Sequence, residues 1–585
     1  MFSANKNLGL LIALCLIVFF TNLGGPKLWD RDEPRNAGCA MEMIEAADWV
    51  VPRFNDELRT HKPVLLYWLM IASYSVFGIS EFSARFFSAF LGMLTVLLTY
   101  DMGRRLFNST AGLWAGVCLA TTLMFTVASR AATPDAPLIF FVTLGLWIYV
   151  LFSFSADEES ANANPGYYPT QWWQVALLYG ALGLAVLSKG PVGLILPTAI
   201  IGMFLLIMRL PPAQPATTWR QWGVSLLRPF FPIHFLKTVW FMRPILAIVA
   251  CLGVALPWYL WVAARDFRWI EGFFFDHNLN RAVTSFEGHS GPPVYYLVAI
   301  CVGFFPWSVF FAPMLWDLSQ QLRTGTKSKA ALIFCCCWVA VWMGAFSIAQ
   351  TKLPSYITPL YPALALITGV FVSRVTEKRT QLSARWLDLG FGLTTVVGVV
   401  LVVALAILAA KFMPGEELVA LVGLLLVVGG GLAWWRKSQQ NYQQAFRVFA
   451  VTSMLFVVGL FSVIAQRVSD QQEISRLLAE IQAAEPGARL CSFGVSEASW
   501  VFYARQPVKF IPEDQGDLQA EFAEAPNTVV LTTPEKLAEL PPELRGQLTE
   551  VAQAPYFLKD YPLIALRPTP PFAELAAKKQ APSQR

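Results

Sequence analysis

Residues 83–105 read SARFFSAFLGMLTVLLTYDMGRR. The run 83–101 is about the 20 residues that a helix needs to cross a bilayer. It ends on Arg104-Arg105, and basic residues beside a span mark the cytoplasmic side. The chain therefore enters this span from outside. If residue 1 starts inside, the earlier run 63–79 cannot also cross. It opens with Lys62-Pro63 and carries Tyr67, Trp68, Tyr74 and Gly78. It reads as a helix lying at the outer interface, with Pro63 suited to its first turn.

With that orientation the other basic segments fall inside. They are 209–243 (Arg209, Arg220, Arg228, Lys237, Arg243), Arg323 to Lys329, Arg374 to Arg385, and Arg436-Lys437 to Arg447. About thirteen spans are predicted: 8–24, 83–101, 110–130, 136–155, 172–188, 190–209, 243–264, 294–316, 330–350, 354–374, 388–411, 416–435 and 446–466. The N-terminus is then cytoplasmic and the C-terminus outside. The first run has no small-residue cleavage site and reads as a retained span.

Composition agrees. Of 585 residues, 56% are hydrophobic and 14% charged, against nearer a quarter charged in globular domains. The mean hydropathy is +0.50. The net charge of +5 comes with no low-complexity tail for nucleic acid. Nine cysteines occur, mostly in apolar runs and without CxxC spacing, and read as buried hydrophobes.

The membrane part covers 1–467. Residues 468–570 change character. Ser469 to Ile481 has helical spacing, and Leu490 to Val495, Val508 to Ile511, Asn527 to Thr532 and Pro562 to Leu566 read as short strands. Pro534 to Leu548 reads as helical. This pattern predicts a small α/β domain outside the membrane. The tail 571–585 is rich in Pro, Ala and Lys and reads as disordered.

The topology gathers polar residues on the outer face. The 24–62 loop carries Asp30, Asp32, Glu33, Arg35, Arg59, His61 and Lys62. Arg130 and Thr133-Pro134-Asp135 follow the third span, and Ser188-Lys189-Gly190-Pro191 forms the next outer turn. The 265–293 loop holds Arg265, Arg268, Asp276, His277, Asn278, Arg281 and His289; Thr351 to Tyr356 is a further turn. Charges beside a bilayer are costly, and basic residues are disfavoured on this face. Lys and Arg suit a phosphate, and a carboxylate suits a general base. Plain structural roles compete. Asp32 and Glu33 suit the start of a helix near Pro34, Asp135 suits the start of the fourth span, and Lys189 can snorkel. His61 and His289 lack a local metal-binding spacing.

These residues resemble a known pattern. Asp32-Glu33-Pro34-Arg35, the stretch Asp48 to Asn55, Lys62-Pro63-Val64-Leu65-Leu66-Tyr67-Trp68, Gly103 to Phe107, Thr133-Pro134-Asp135, Ser188 to Pro191, His277-Asn278 with Arg281 and His289, and Lys352 to Tyr356 occur in this order. They resemble the GT-C glycosyltransferases of the protein O-mannosyltransferase superfamily, nearest the bacterial lipid A aminoarabinose transferase branch. The resemblance implies a polyprenyl-phosphate (undecaprenyl) sugar donor and a site on the outer face of the bacterial cytoplasmic membrane. Asp32 and Asp135, with Glu33, match the family's acids. Lys62, Arg281 and Tyr356, with Arg35 and Arg59 nearby, match the lipid-phosphate site. His61 and His289 match a position that holds zinc. In that branch an acid stands where this chain has His61, and a tyrosine where it has Arg59.

The expected function is transfer of one sugar, with inversion, to an acceptor hydroxyl or phosphate on a glycolipid, protein or other envelope glycan. No cofactor is required beyond that metal position. The expected partners are the lipid-linked sugar, the acceptor and membrane lipids, with the enzyme a monomer. A lipid-linked oligosaccharide ligase or polymerase would use similar groups, but the motif order argues against it. A flippase predicts charge at mid-membrane and paired halves, and neither is visible.

Overall fold

The structure, a computed structural model, describes residues 2–28, 32–154, 166–211, 218–275, 291–292, 294–324, 328–513 and 518–569. Arg281, His277, Asn278, His289 and the tail 571–585 lie outside the described residues.

Each predicted span is helical, but not every one is long and apolar enough to cross a membrane by itself. Among the described residues eight helices meet that standard, or ten if two bent pairs each count as one span. One bent pair is Ser109–Ala120 with Leu123–Arg130, at 66°. The other, Tyr295–Gly303 with Trp307–Thr324, turns by 112°. Among the shorter apolar helices are Asn5–Phe20 and Val192–Met208. Length and composition of the described helices alone therefore do not confirm the expected count of thirteen.

Small residues let the helices approach. A Cβ built on Gly103 would meet Gly112 Cα at 2.6 Å, so the helices Glu81–Leu106 and Ser109–Ala120 touch backbone to backbone. Arg130, at the end of its helix, donates to the carbonyls of Val18 (3.0 Å) and Phe19 (2.9 Å). It thereby satisfies carbonyls that end the first helix.

The loop expected on the outer face is built from two helices and a hairpin. Helix Asp32–Glu45 packs on helix Leu65–Phe77. The latter has 13 residues, which at 1.5 Å per residue is about 20 Å, too short to cross about 30 Å of hydrocarbon. Between them β1 (Arg53–Phe54) pairs antiparallel with β2 (Glu57–Leu58). The turn residues Asn55 and Asp56 both have positive φ, 58° and 64°, which is the geometry of a tight hairpin turn. The Glu42 carboxylate accepts from both turn amides, at 2.6 and 3.3 Å. Burial raises the Glu42 pKa, and those two amides partly offset the shift.

The last span ends at Asp470, and after a break at 471–473 the helix Ile474–Ala484 leads into a five-stranded sheet. Its strands are β3 (Arg489–Phe493), β4 (Val508–Ile511), β5 (Thr528–Thr532), β6 (Leu548–Pro555) and β7 (Pro562–Pro568), in the order β4-β3-β5-β7-β6. β3 is parallel to β4 and β5, while β7 is antiparallel to β5 and β6. The helix expected from Pro534 to Leu548 is a correction. It is two short pieces, Pro534–Glu539 and Pro542–Arg545, interrupted at Pro541 and Pro542, and Leu548 already begins β6.

Candidate active site

The neighbouring acids Asp32 and Glu33 have different fates. Both lie in the first turn of helix Asp32–Glu45, where acids are favoured. Glu33 is turned inward and is 6% exposed. Its carboxylate accepts two bonds from Arg85, at 2.8 and 2.7 Å, and one from the Ala132 amide at 2.7 Å. The same guanidinium donates to the carbonyls of Leu23, Pro26 and Lys27. Both Glu33 oxygens are thus engaged in tying the first outer loop to two spans. Asp32, one residue earlier, is exposed.

Asp32 lies in the electrostatic reach of Arg59 and Lys189. Arg59 is buried, donating to Tyr67 Oη at 3.0 Å and Asn36 Oδ1 at 2.9 Å. Asn36 in turn donates to the Ala132 carbonyl at 3.0 Å. Trp269 Nε1 donates to the Arg59 carbonyl at 2.9 Å. The guanidinium is therefore fixed from helix Asp32–Glu45 and helix Leu65–Phe77 together.

Lys189 ends helix Trp172–Lys189, and Gly190 follows with φ of +88°, a backbone angle that glycine adopts without strain. The turn aims the ammonium at Asp135, the first residue of helix Asp135–Ser153, and the two form an ion pair. The ammonium also lies 5.1 Å from the centroid of the Tyr356 ring, within cation–π range. Tyr356 is held by Trp342 Nε1, which donates to its carbonyl at 2.8 Å, and by the Phe346 ring at 5.3 Å.

Asp32, Arg59, Asp135, Lys189 and Tyr356 thus form one cluster drawn from five segments. The sequence reading placed Asp32, Asp135, Tyr356 and Arg59 in the site but left out Lys189 as its hub. The available signal was a lysine in a Ser-Lys-Gly-Pro turn on the face where lysine is disfavoured. Arg85 was also missed, although it stands as a charge inside an otherwise apolar run. Arg35, His61 and Lys62 are half-buried. His61 and Lys62 follow Arg59 after Thr60 and precede helix Leu65–Phe77.

Two cations expected on the outer face are used elsewhere. Arg130 serves the first helix, as described above. Lys352 Nζ donates to the carbonyls of Ser347 and Ala349, both at 2.9 Å, capping helix Lys329–Ile348. Among the described residues no three His, Cys, Asp or Glu side chains gather to hold a metal. His289, the partner expected for His61, lies outside the described residues. A separate cavity of about 260 Å³, lined by Glu42, Asp48, Arg53 and Arg505 among others, sits beside the C-terminal domain. Glu42 is ten residues along the helix from Asp32, about 15 Å.

The family described as dolichyl-phosphate-mannose-protein mannosyltransferase matches residues 61–227. An uncharacterised protein of Aquifex aeolicus is 29% identical over 85% of this chain and 87% of its own. The undecaprenyl phosphate-alpha-4-amino-4-deoxy-L-arabinose arabinosyl transferase of Yersinia pestis is 26% identical over 79% of this chain and 77% of its own. The fold matches ArnT from Cupriavidus metallidurans bound to undecaprenyl phosphate, with a TM-score of 0.72, 23% identity, and coverage of 95% and 97% of the two chains. The chain has the GT-C fold of these membrane glycosyltransferases and resembles the aminoarabinose transferase branch. In this GT-C chain the matched family region begins at His61 and takes in Lys62, Asp135 and Lys189. The C-terminal sheet domain falls within the coverage of the ArnT match.

Proposed function

We propose that the chain moves one sugar from an undecaprenyl-phosphate-type donor to an acceptor hydroxyl or phosphate on the outer face of the cytoplasmic membrane. The observation that carries this reading is the exposed Asp32 flanked by the fixed cations Arg59 and Lys189, with Asp135 and Tyr356 closing the same cluster. In the proposed step the acceptor oxygen attacks the anomeric carbon while Asp32 takes its proton. The bond from that carbon to the phosphate oxygen breaks, and the polyprenyl phosphate leaves with the electron pair. One displacement inverts the anomeric carbon. Lys62, Arg281 and Tyr356, with Arg35, are the groups assigned to the lipid phosphate, where cations stabilise developing negative charge. Lys189 holds Asp135 and Tyr356 in place around it, and Arg59 orients Asp32. Glu33 serves as the anchor that sets the helix start. His61 and His289 are the residues that would hold a zinc ion, which would supply positive charge near the leaving phosphate.

Supporting the donor class is the likeness to a Yersinia enzyme whose name specifies an undecaprenyl-phosphate-linked sugar. The test is mass spectrometry of envelope lipids, glycans and proteins from cells with and without the chain. A mass difference of one sugar on one acceptor class is expected. Identical profiles under conditions where the protein is made would overturn the proposal.

A further inference from the structure

At the opposite end of the bundle, helices Leu421–Ser438 and Tyr442–Val458 pack antiparallel on each other and leave a groove of about 560 Å³ between them. Its walls are apolar: Val428, Leu432, Val451 and Leu455 line it, and Val428 and Val451 are 58% and 52% exposed. In a membrane that exposure faces lipid. The groove has a single charged lining residue, Arg447. Ser462, further along the same helical stretch, accepts from the Asn22 side chain near the outer loop. Arg447 is fifteen residues before it, about 22 Å, so it sits towards the other leaflet.

Arg447 differs from Lys437, which borders the same helix pair. Lys437 is neutralised by Asp388 at 2.5 Å, and Trp434 Nε1 also donates to that carboxylate at 2.8 Å. Among the described residues Arg447 has neither a hydrogen bond nor an ion pair. Arg436 lies one helical turn beyond Leu432 on the same face, stacked over Trp435 at 4.6 Å. A guanidinium at the mouth of an apolar groove matches a ligand with an anionic head and an apolar tail.

We infer that this groove binds an anionic glycerophospholipid of the leaflet opposite the candidate active site. One acyl chain lies between Val428 and Val451, and the phosphate sits at Arg447, with Arg436 adding charge. From Arg447 to Leu455 the groove is eight residues long, about 12 Å. An acyl chain fills that length, whereas a long prenyl chain exceeds it. The site is separate from the sugar-transfer cluster and does not rest on the reading given for it.

The full chain, reconstituted in bilayers, is labelled with phosphatidylglycerol or phosphatidylcholine carrying the same photoactivatable acyl chain, and crosslinked peptides are mapped. Phosphatidylglycerol should label peptides spanning 424–455 more strongly than phosphatidylcholine. Arg447→Glu should reduce that labelling by about tenfold or more, since each basic charge near an anionic surface contributes about fivefold. Arg447→Lys should largely keep it, and Val451→Trp should reduce labelling by both lipids. Circular dichroism and elution volume check that each variant is folded. Equal labelling by the two lipids in the unmodified protein would overturn the inference, as would labelling that Arg447→Glu leaves unchanged. Displacement of phosphatidylglycerol from these peptides by equimolar undecaprenyl phosphate would also overturn it, assigning the groove to a prenyl phosphate.

Discussion

The outer loop and the C-terminal sheet domain both lie outside the spans, yet they use charge differently. In the loop, Glu33 and Arg85 are buried side by side, 8% and 6% exposed at the side chain, with further bonds to backbone. In the sheet domain, Arg476 pairs with Glu480 across one helical turn, with 66% and 40% exposure. A buried pair that loses one partner leaves an uncompensated charge. An exposed pair is screened by water and contributes little. The difference teaches which charges near the membrane are structural, and it isolates Asp32 as an exposed acid in a setting where its neighbour is locked.

Four substitutions probe that contrast. Arg85→Ala should have the largest effect, destabilising the fold by about 3–5 kcal/mol, read as loss of folded protein in thermal unfolding of the purified membrane protein. If unfolding barely changes, the buried pair is not the anchor described. Lys189→Met leaves Asp135 without its cation. Sugar transfer should fall about a hundredfold, in line with the loss of one well-placed charge or donor in an active site. Near-normal transfer would remove Lys189 from the cluster. Asn55→Ala acts at the junction of the two regions. The Asn55 amide donates to the Val508 carbonyl at 2.8 Å and accepts from the Val508 amide at 2.7 Å, so it completes the open edge of β4. Its loss should cost about 1–2 kcal/mol and increase hydrogen exchange at 508–511; unchanged exchange would show that the edge is held by other contacts. Arg476→Ala should change stability by no more than about 0.5 kcal/mol, and a larger loss would break the contrast itself.

Much of this was legible in the sequence because membranes impose strong rules. Apolar run length and the Arg104-Arg105 pair located the spans. They also made 63–79 a non-crossing helix, consistent with the 13 residues of Leu65–Phe77. The same topology put Asp32, Asp135 and Tyr356 on one face. What stayed hidden depends on contacts far apart in sequence. Glu33 and Arg85 are 52 residues apart and Lys189 and Asp135 are 54 apart, and no local pattern announces either pairing. The error over Pro534 to Leu548 arose because helical composition outweighed two adjacent prolines. The strand that follows, β6, takes its place only by pairing with β7.

The central claim is that Asp32, not Glu33, carries the proton. The direct measurement is turnover and donor binding of Asp32→Asn in reconstituted membranes, using the donor and acceptor found by envelope mass spectrometry. Turnover should fall by about 10²–10⁴, with donor affinity within a few-fold of the unmodified protein and unfolding temperature unchanged. Full turnover by Asp32→Asn would contradict the account.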